Sequence, residues 1–307
     1  MYNRKTHKFQ FSAPLNFSFI SNANETNAFF NRIINFISDR RNFGKKIFID
    51  ISNIKNLTID ALMYLLAIVN NMNDSFKNKY SFSGNAPTDE KIKKMFNESG
   101  FYDYVKYQGR EPITSNSDSI KIVSGKISDT AIAKQVADFV IEKASIERKC
   151  AHFIYIMMIE MMSNTQKHAY NSDSFLLPQW YCYAEYNKKD TISFTFMDTG
   201  EGIPSTVHKK LAEKMDFFKI KGDDKYVLSA LNGDFRTATE QRNRGKGLPK
   251  IMEFCKTEKI FNMHLLANRA DISVLPDRCE SRLLNESLCG TLYYWEVNIM
   301  NLKGEKQ

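Results

Sequence analysis

Asp198-Thr199-Gly200-Glu201-Gly202-Ile203-Pro204 follows directly on Thr191–Met197, where Ile192, Phe194 and Phe196 alternate with Ser193 and Thr195. Alternation with a period of two predicts a strand with one buried face. A carboxylate at the end of such a strand can accept a hydrogen bond from a purine amino group, and the glycines let the backbone approach a flat base closely. Asp-x-Gly-x-Gly also makes ordinary turns, so its meaning depends on what stands before and after it.

Upstream, a helix is predicted from about Ile146 to Tyr170. Glu160, Asn164 and Lys167 or His168 fall on one face of it at i, i+4 and i+7 or i+8 spacing. A carboxylate, an amide and a cation so aligned could activate water, offer an oxygen to Mg²⁺ and meet a phosphate. Taken alone, a polar stripe on an amphipathic helix explains them better. Downstream, Arg244-Gly245-Lys246-Gly247-Leu248-Pro249 opens a helix after about forty residues with little periodicity. Glycines at a helix start expose backbone N–H groups, which together with the helix dipole favour phosphate. A plain turn into a helix is the alternative.

The order and spacing of the three segments resemble the GHKL family of ATPases, which includes histidine kinases, anti-sigma serine kinases, gyrase-type ATPases and Hsp90-like chaperones. Glu160-x3-Asn164-x2-Lys167-His168-Ala169 resembles the N-box, Asp198-x-Gly200-x-Gly202-Ile203-Pro204 the G1 box, and Gly245-x-Gly247-Leu248 the G2 box. Gly290-Thr291, ahead of Leu292-Tyr293-Tyr294-Trp295, is similar to the family's last core strand, whose Thr lies near adenine.

The resemblance covers roughly Asp129 to Ile299. It implies a Bergerat α/β sandwich, a mixed sheet covered by helices on one face, that binds ATP with Mg²⁺. Glu160 would then be the general base, Asn164 the Mg²⁺ ligand and Asp198 the adenine reader. Gly200, Gly202, Ile203 and Thr291 would border the base. Arg244, Gly245, Lys246, Gly247 and Leu248 would border the phosphates, with Lys167 and His168 at the nucleotide. The segment from Ser205 to Arg244 would be the ATP lid, with Arg236, Arg242 and Arg244 as phosphate contacts that a solvated loop explains equally well.

Ahead of this region, Phe29, Ile33, Ile34 and Ile37 recur at helical spacing, followed by a strand at Ile47–Ile49, a buried helix at Ala61–Val69, a strand at Tyr80–Phe82 and a helix at Lys91–Asn97. This order, with Ile47-Phe48-Ile49-Asp50-Ile51-Ser52-Asn53-Ile54 and Gly100-Phe101, is similar to a STAS domain. In anti-sigma antagonists of that family a serine at the start of the corresponding helix is phosphorylated. Asp60 occupies that position here, with Thr58 two residues earlier, so serine-based switching is in doubt and Asp60 can simply cap the helix. The Ser/Asn-rich stretch Thr114–Asp118, with Gly125 after it, places the boundary near Ser124, giving a STAS-like α/β domain over 1–124 and an ATP-binding domain over 125–307.

The composition sets the remaining bounds. The chain has 307 residues, five cysteines without zinc or disulfide spacing, and a net charge of +8, nearly all of it ahead of Ile127. The thiols read as reduced, which fits a cytoplasmic protein. No apolar run is long enough to span a bilayer, and no membrane partner is expected. Arg40, Arg41, Lys45 and Lys46 form one basic cluster and Lys91, Lys93 and Lys94 another. Such clusters could meet nucleic acid or an acidic protein, but no aromatic-interleaved motif accompanies them and a solvated face is favoured.

Three functions fit. The first is an Mg²⁺-dependent ATP-binding protein, a slow ATPase used as a conformational switch controlling a protein partner. The second is a protein serine/threonine kinase of the anti-sigma type, acting on a separate STAS partner. The third is a basic nucleic-acid- or protein-binding scaffold. A histidine autokinase is disfavoured, because no histidine stands between Asp129 and Cys150 to act as acceptor. Homodimerisation, common in the GHKL family, is left open because no heptad repeat marks an interface.

Overall fold

In a computed structural model of the protein, the described residues are 2–3, 7–76, 80–109, 117–168, 176–188, 190–205, 222–234 and 247–304. The chain is a mixed α/β protein that divides into two compact units. One comprises residues 1–116 with 175–177, and the other 117–174 with 178–307.

The first unit contains β1 (Tyr2–Asn3), β2 (Lys8–Ser12), β3 (Asn16–Phe17), α1 (Phe19–Ser38), β4 (Lys46–Asp50), β5 (Asn56–Leu57), α2 (Ile59–Phe76), β6 (Ser81–Gly84), α3 (Glu90–Glu98) and α4 (Phe101–Tyr104). Its main sheet has the order β1-β2-β4-β6. β1 is antiparallel to β2, whereas β2, β4 and β6 are mutually parallel. Parallel neighbours need a crossover, and α1 and α2 supply the two that are required. Phe29, Phe30, Ile33 and Ile37 put the apolar face of α1 into the core, where the rings of Phe30 and Tyr64 lie 4.6 Å apart.

Asp60 is buried at the first turn of α2. Its carboxylate accepts hydrogen bonds from the Phe19 N–H, at the first residue of α1, and from the Thr58 hydroxyl, both at 2.8 Å. One carboxylate therefore serves the starts of two helices, where helix dipoles favour negative charge. Burial outweighs these bonds and raises its pKa to about 6.

The second unit contains β7 (Ser119–Gly125), α5 (Thr130–Ala144), α6 (Arg148–His168), β8 (Trp180–Tyr186), β9 (Thr191–Asp198), α7 (Asp223–Asn232), α8 (Gly247–Lys256), β10 (Phe261–Val274), β11 (Cys279–Asn298) and α9 (Ile299–Gly304). Its sheet has the order β10-β11-β9-β8-β7, and every neighbouring pair is antiparallel. The expectation of a mixed sheet in this half is thus corrected. Two helices, α5 and α6, join β7 to β8, and an even number of helical passes reverses the strand. β9 and β10 do run in the same direction, but β11 lies between them. Asp129 caps α5 as expected, accepting from the Ala131 and Ile132 N–H groups.

Three expectations shift. The division falls between residues 116 and 117, earlier than Ser124, because Ser119–Gly125 is the edge strand of the second sheet. The segment expected to be an aperiodic lid contains α7, whose Tyr226, Val227, Ala230 and Leu231 are buried at helical spacing. The strands expected near 261–267 and 290–299 are parts of one long hairpin, closed by a Leu275 N–H to Arg278 carbonyl bond of 2.8 Å. Among the described residues, no helix is long and apolar enough to cross a membrane. The five cysteines are unbridged.

Candidate functional site

The site begins with the pleat of the second sheet. Ile192, Phe194 and Phe196 of β9, with Tyr293, Trp295 and Val297 of β11, join one core with residues from α5, α6 and α8. Because side chains alternate along a strand, Asp198 and Thr291 point to that same helix-covered face. They are direct partners across the β9–β11 ladder. Asp198 is 8% exposed and its carboxylate accepts from the Gly200 N–H at 2.8 Å and from the Thr291 hydroxyl and backbone N–H. Burial dominates and pushes its pKa up to about 6, while these three donors pull the other way.

The turn after Asp198 is held from two sides. Thr199 donates its N–H to the Gln179 carbonyl at 3.0 Å, and its hydroxyl accepts the Gln179 N–H at 3.1 Å. Gly202 has φ +81°, and Gly290 of β11 has φ +101°. A Cβ on Gly290 would sit 1.9 Å from the Asp198 carbonyl oxygen, so only glycine allows β11 to come this close to the turn. Ile203 packs against the core beyond it.

α6 lies on this core through Met157, Met158, Met161 and Met162, all buried, at spacings that return to one side of a helix. Glu160 and Asn164, one turn apart, are half-buried. The first residue of α8, Gly247, is buried against Glu160: a Cβ there would lie 2.8 Å from Oε2 and 3.4 Å from the Glu160 Cβ. Leu248 packs beside it on the core.

The expected residues therefore form two groups on one face of the sheet. Glu160 meets Gly247, and Asp198 meets Gly200 and Thr291, with Gly202 abutting the Gly290 carbonyl. The backbones of Lys167 and His168 complete α6, but their side chains lie outside the described residues, as do Arg236, Arg242, Arg244, Gly245 and Lys246. Of the expected lid, Ser205 and residues 222–234 are described, and α7 is fastened there: Asp223 accepts the Arg269 N–H at 2.9 Å and Asp224 accepts the Ser281 hydroxyl at 3.2 Å.

Asn268 belongs to the site and was not foreseen. It stands where the β10–β11 pairing shifts, in left-handed backbone at φ +52°, and its Nδ2 donates to the Glu201 carbonyl at 3.0 Å. An Asn-Arg pair between the apolar runs 261–267 and 270–274 was the available signal, since Asn tolerates this conformation better than most residues.

Comparison of the chain with protein-family models and with curated proteins finds no match in either.

Proposed function

We propose that the second unit is a GHKL-type ATP-binding domain, a slow Mg²⁺-dependent ATPase whose nucleotide state controls a protein partner. The observation that carries this reading is the buried Asp198–Thr291 pair on the sheet face that α6 and α8 cover. A buried carboxylate at a strand end, followed by a glycine turn, suits a flat base bearing an amino group. Glu160 stands at the start of α8, where the resemblance puts the phosphates, and would accept the proton of an attacking water.

The metal fits the same arrangement in a limited way. Among the described residues no three His, Cys, Asp or Glu side chains gather to hold an ion. Asn164 offers a single carboxamide oxygen, which is the usual protein share where Mg²⁺ is bound mainly through substrate phosphates and water. Bound there, the ion would neutralise phosphate charge.

The first unit reads as STAS-like, supported by its strand–helix order and by the parallel β2-β4-β6 core. Asp60 is engaged with Phe19 and Thr58, which argues against a phosphorylation switch at that position within this chain. The basic clusters are partly neutralised by local pairs, Arg41 with Asp39, Lys93 with Glu90 and Lys94 with Glu98, which weakens the nucleic-acid scaffold reading.

The deciding experiment is a titration of the purified chain with ATP at millimolar Mg²⁺, followed by release of free phosphate. Binding with slow phosphate release is expected. A phosphorylated protein product in place of free phosphate would redirect the reading to a kinase, and absence of ATP binding would end it.

A further inference from the structure

β10 changes course at one residue. His264 Nδ1 and Ser273 Oγ, nine positions apart on this strand, lie 3.2 Å from each other. Nine residues of straight strand would span roughly 30 Å. The strand therefore bends back sharply, and the pairing with β11 is irregular on both sides of Asn268. The left-handed φ of Asn268 makes it the pivot.

From that pivot the side chain reaches into the glycine turn. Nδ2 donates to the Glu201 carbonyl, and Oδ1 lies over Gly202, where an added Cβ would come within 2.3 Å of it and within 3.1 Å of the Gly290 carbonyl. Oδ1 is buried and has no hydrogen-bond partner among the described residues. Burying an amide oxygen unpaired is costly, and the Nδ2 bond to Glu201 offsets part of that cost. The next residue runs the other way: the Arg269 N–H donates to Asp223, the first residue of α7, and its Nε donates to the Leu284 carbonyl at 2.9 Å. Asn268 and Arg269 thus join the turn that follows Asp198 to the helix inside the expected lid.

We infer that Asn268 is a positioning residue for the purine-binding turn, holding Glu201–Gly202 where a base can reach Asp198 and linking that turn through Arg269 and Asp223 to α7. The inference rests on the nucleotide reading above. It extends that reading by assigning base placement, as distinct from phosphate binding, to a residue outside the three motifs.

Asn268→Gly separates the clamp from the backbone, because glycine accepts the left-handed conformation while losing the side chain. Asn268→Asp keeps the size and loses the donor. Wild type and both variants, as full chains, are titrated with MgATP and with magnesium tripolyphosphate, and melted without ligand. Asn268→Gly is expected to melt near wild type and to lose about fivefold or more in ATP affinity, the weight of one hydrogen bond, with tripolyphosphate affinity unchanged. Asn268→Asp, which sets a carboxylate against the Glu201 carbonyl, is expected to lose at least as much ATP affinity and to melt moderately lower. If tripolyphosphate binds none of the three, the unchanged melting temperature of Asn268→Gly takes its place as the control. ATP affinity equal to wild type in Asn268→Gly overturns the inference and leaves the nucleotide reading intact. A parallel loss of both ligands in Asn268→Gly, or a large drop in its melting temperature, marks a structural role and also overturns it. Wild type that binds no ATP ends both.

Discussion

Gly247 and Glu160 are in contact across the second unit, and the hydrogen that stands in for a side chain on Gly247 faces the Glu160 carboxylate. A methyl there would come within 2.8 Å of Oε2. The atom in the way is the end of a flexible side chain, so the chain can absorb the change by moving Glu160. Gly247→Ala is expected to fold and to turn bound ATP over roughly tenfold or more slowly, since a displaced base loses much of its contribution. Phosphate release measured alongside equilibrium binding checks this, and unchanged turnover would separate Glu160 from the chemistry.

Removal of the two carboxylates should split binding from hydrolysis. Glu160→Ala is expected to keep ATP binding and to lose about 10²- to 10⁴-fold in turnover, the range for a general base. Asp198→Asn is expected to lose binding, because its amide offers a donor where the base amino group needs an acceptor. Normal hydrolysis by Glu160→Ala would show the base assignment to be wrong.

The raised pKa of Asp198, about 6, sets the pH dependence of binding. Only the ionised carboxylate is a pure acceptor, so ATP affinity should rise between pH 5 and pH 7 and level off above that. Isothermal titration across this range checks the sign, and a flat profile would remove Asp198 from the base contact.

Asp60 shares that raised value but lies in the first unit, and it predicts a stability effect. The unfolded chain releases this proton near pH 3.8 and the folded chain near pH 6, so between these values the folded state holds more protons. Stability from this group is fully present below the lower value and is lost as pH rises through the upper one, by on the order of 3 kcal/mol. Asp60→Asn should flatten that part of the melting-temperature profile between pH 4 and pH 7. An identical slope in wild type and variant would discard the effect.

Gly290→Ala tests the frame of the site. Its φ of +101° and the 1.9 Å approach to the Asp198 carbonyl leave no room, and the obstructing atom is backbone. The variant is expected to be destabilised by about 2 kcal/mol or more and to bind ATP poorly. A melting curve like that of wild type would show the turn to be more pliant than its packing indicates.

Much of this protein was legible from local pattern. The alternation over Thr191–Met197, the helical spacing in α1 and α6 and the cap at Asp129 depend only on neighbours within one element, and each element formed where expected. Helix α7 and the far half of the β10–β11 hairpin were missed although Val227 and Leu231, and Ala270, Ile272 and Val274, carry the right periods. Both segments are only a few turns or pleats long, and Asp223, Asp224 and Lys225 ahead of Val227, and Asp271 between Ala270 and Ile272, interrupt the apolar pattern.

By itself the sequence placed Glu160 and Asn164 on a helix and Asp198 at the end of a strand, because side-chain period is a property of the chain. The tertiary structure alone decided that β7 belongs to the second unit, that its sheet is antiparallel, that Thr291 lies against Asp198, and that Asn268 holds the glycine turn. Those relations join residues far apart in the chain, and strand pairing and close packing are chosen by the partner across the fold, which no local pattern names.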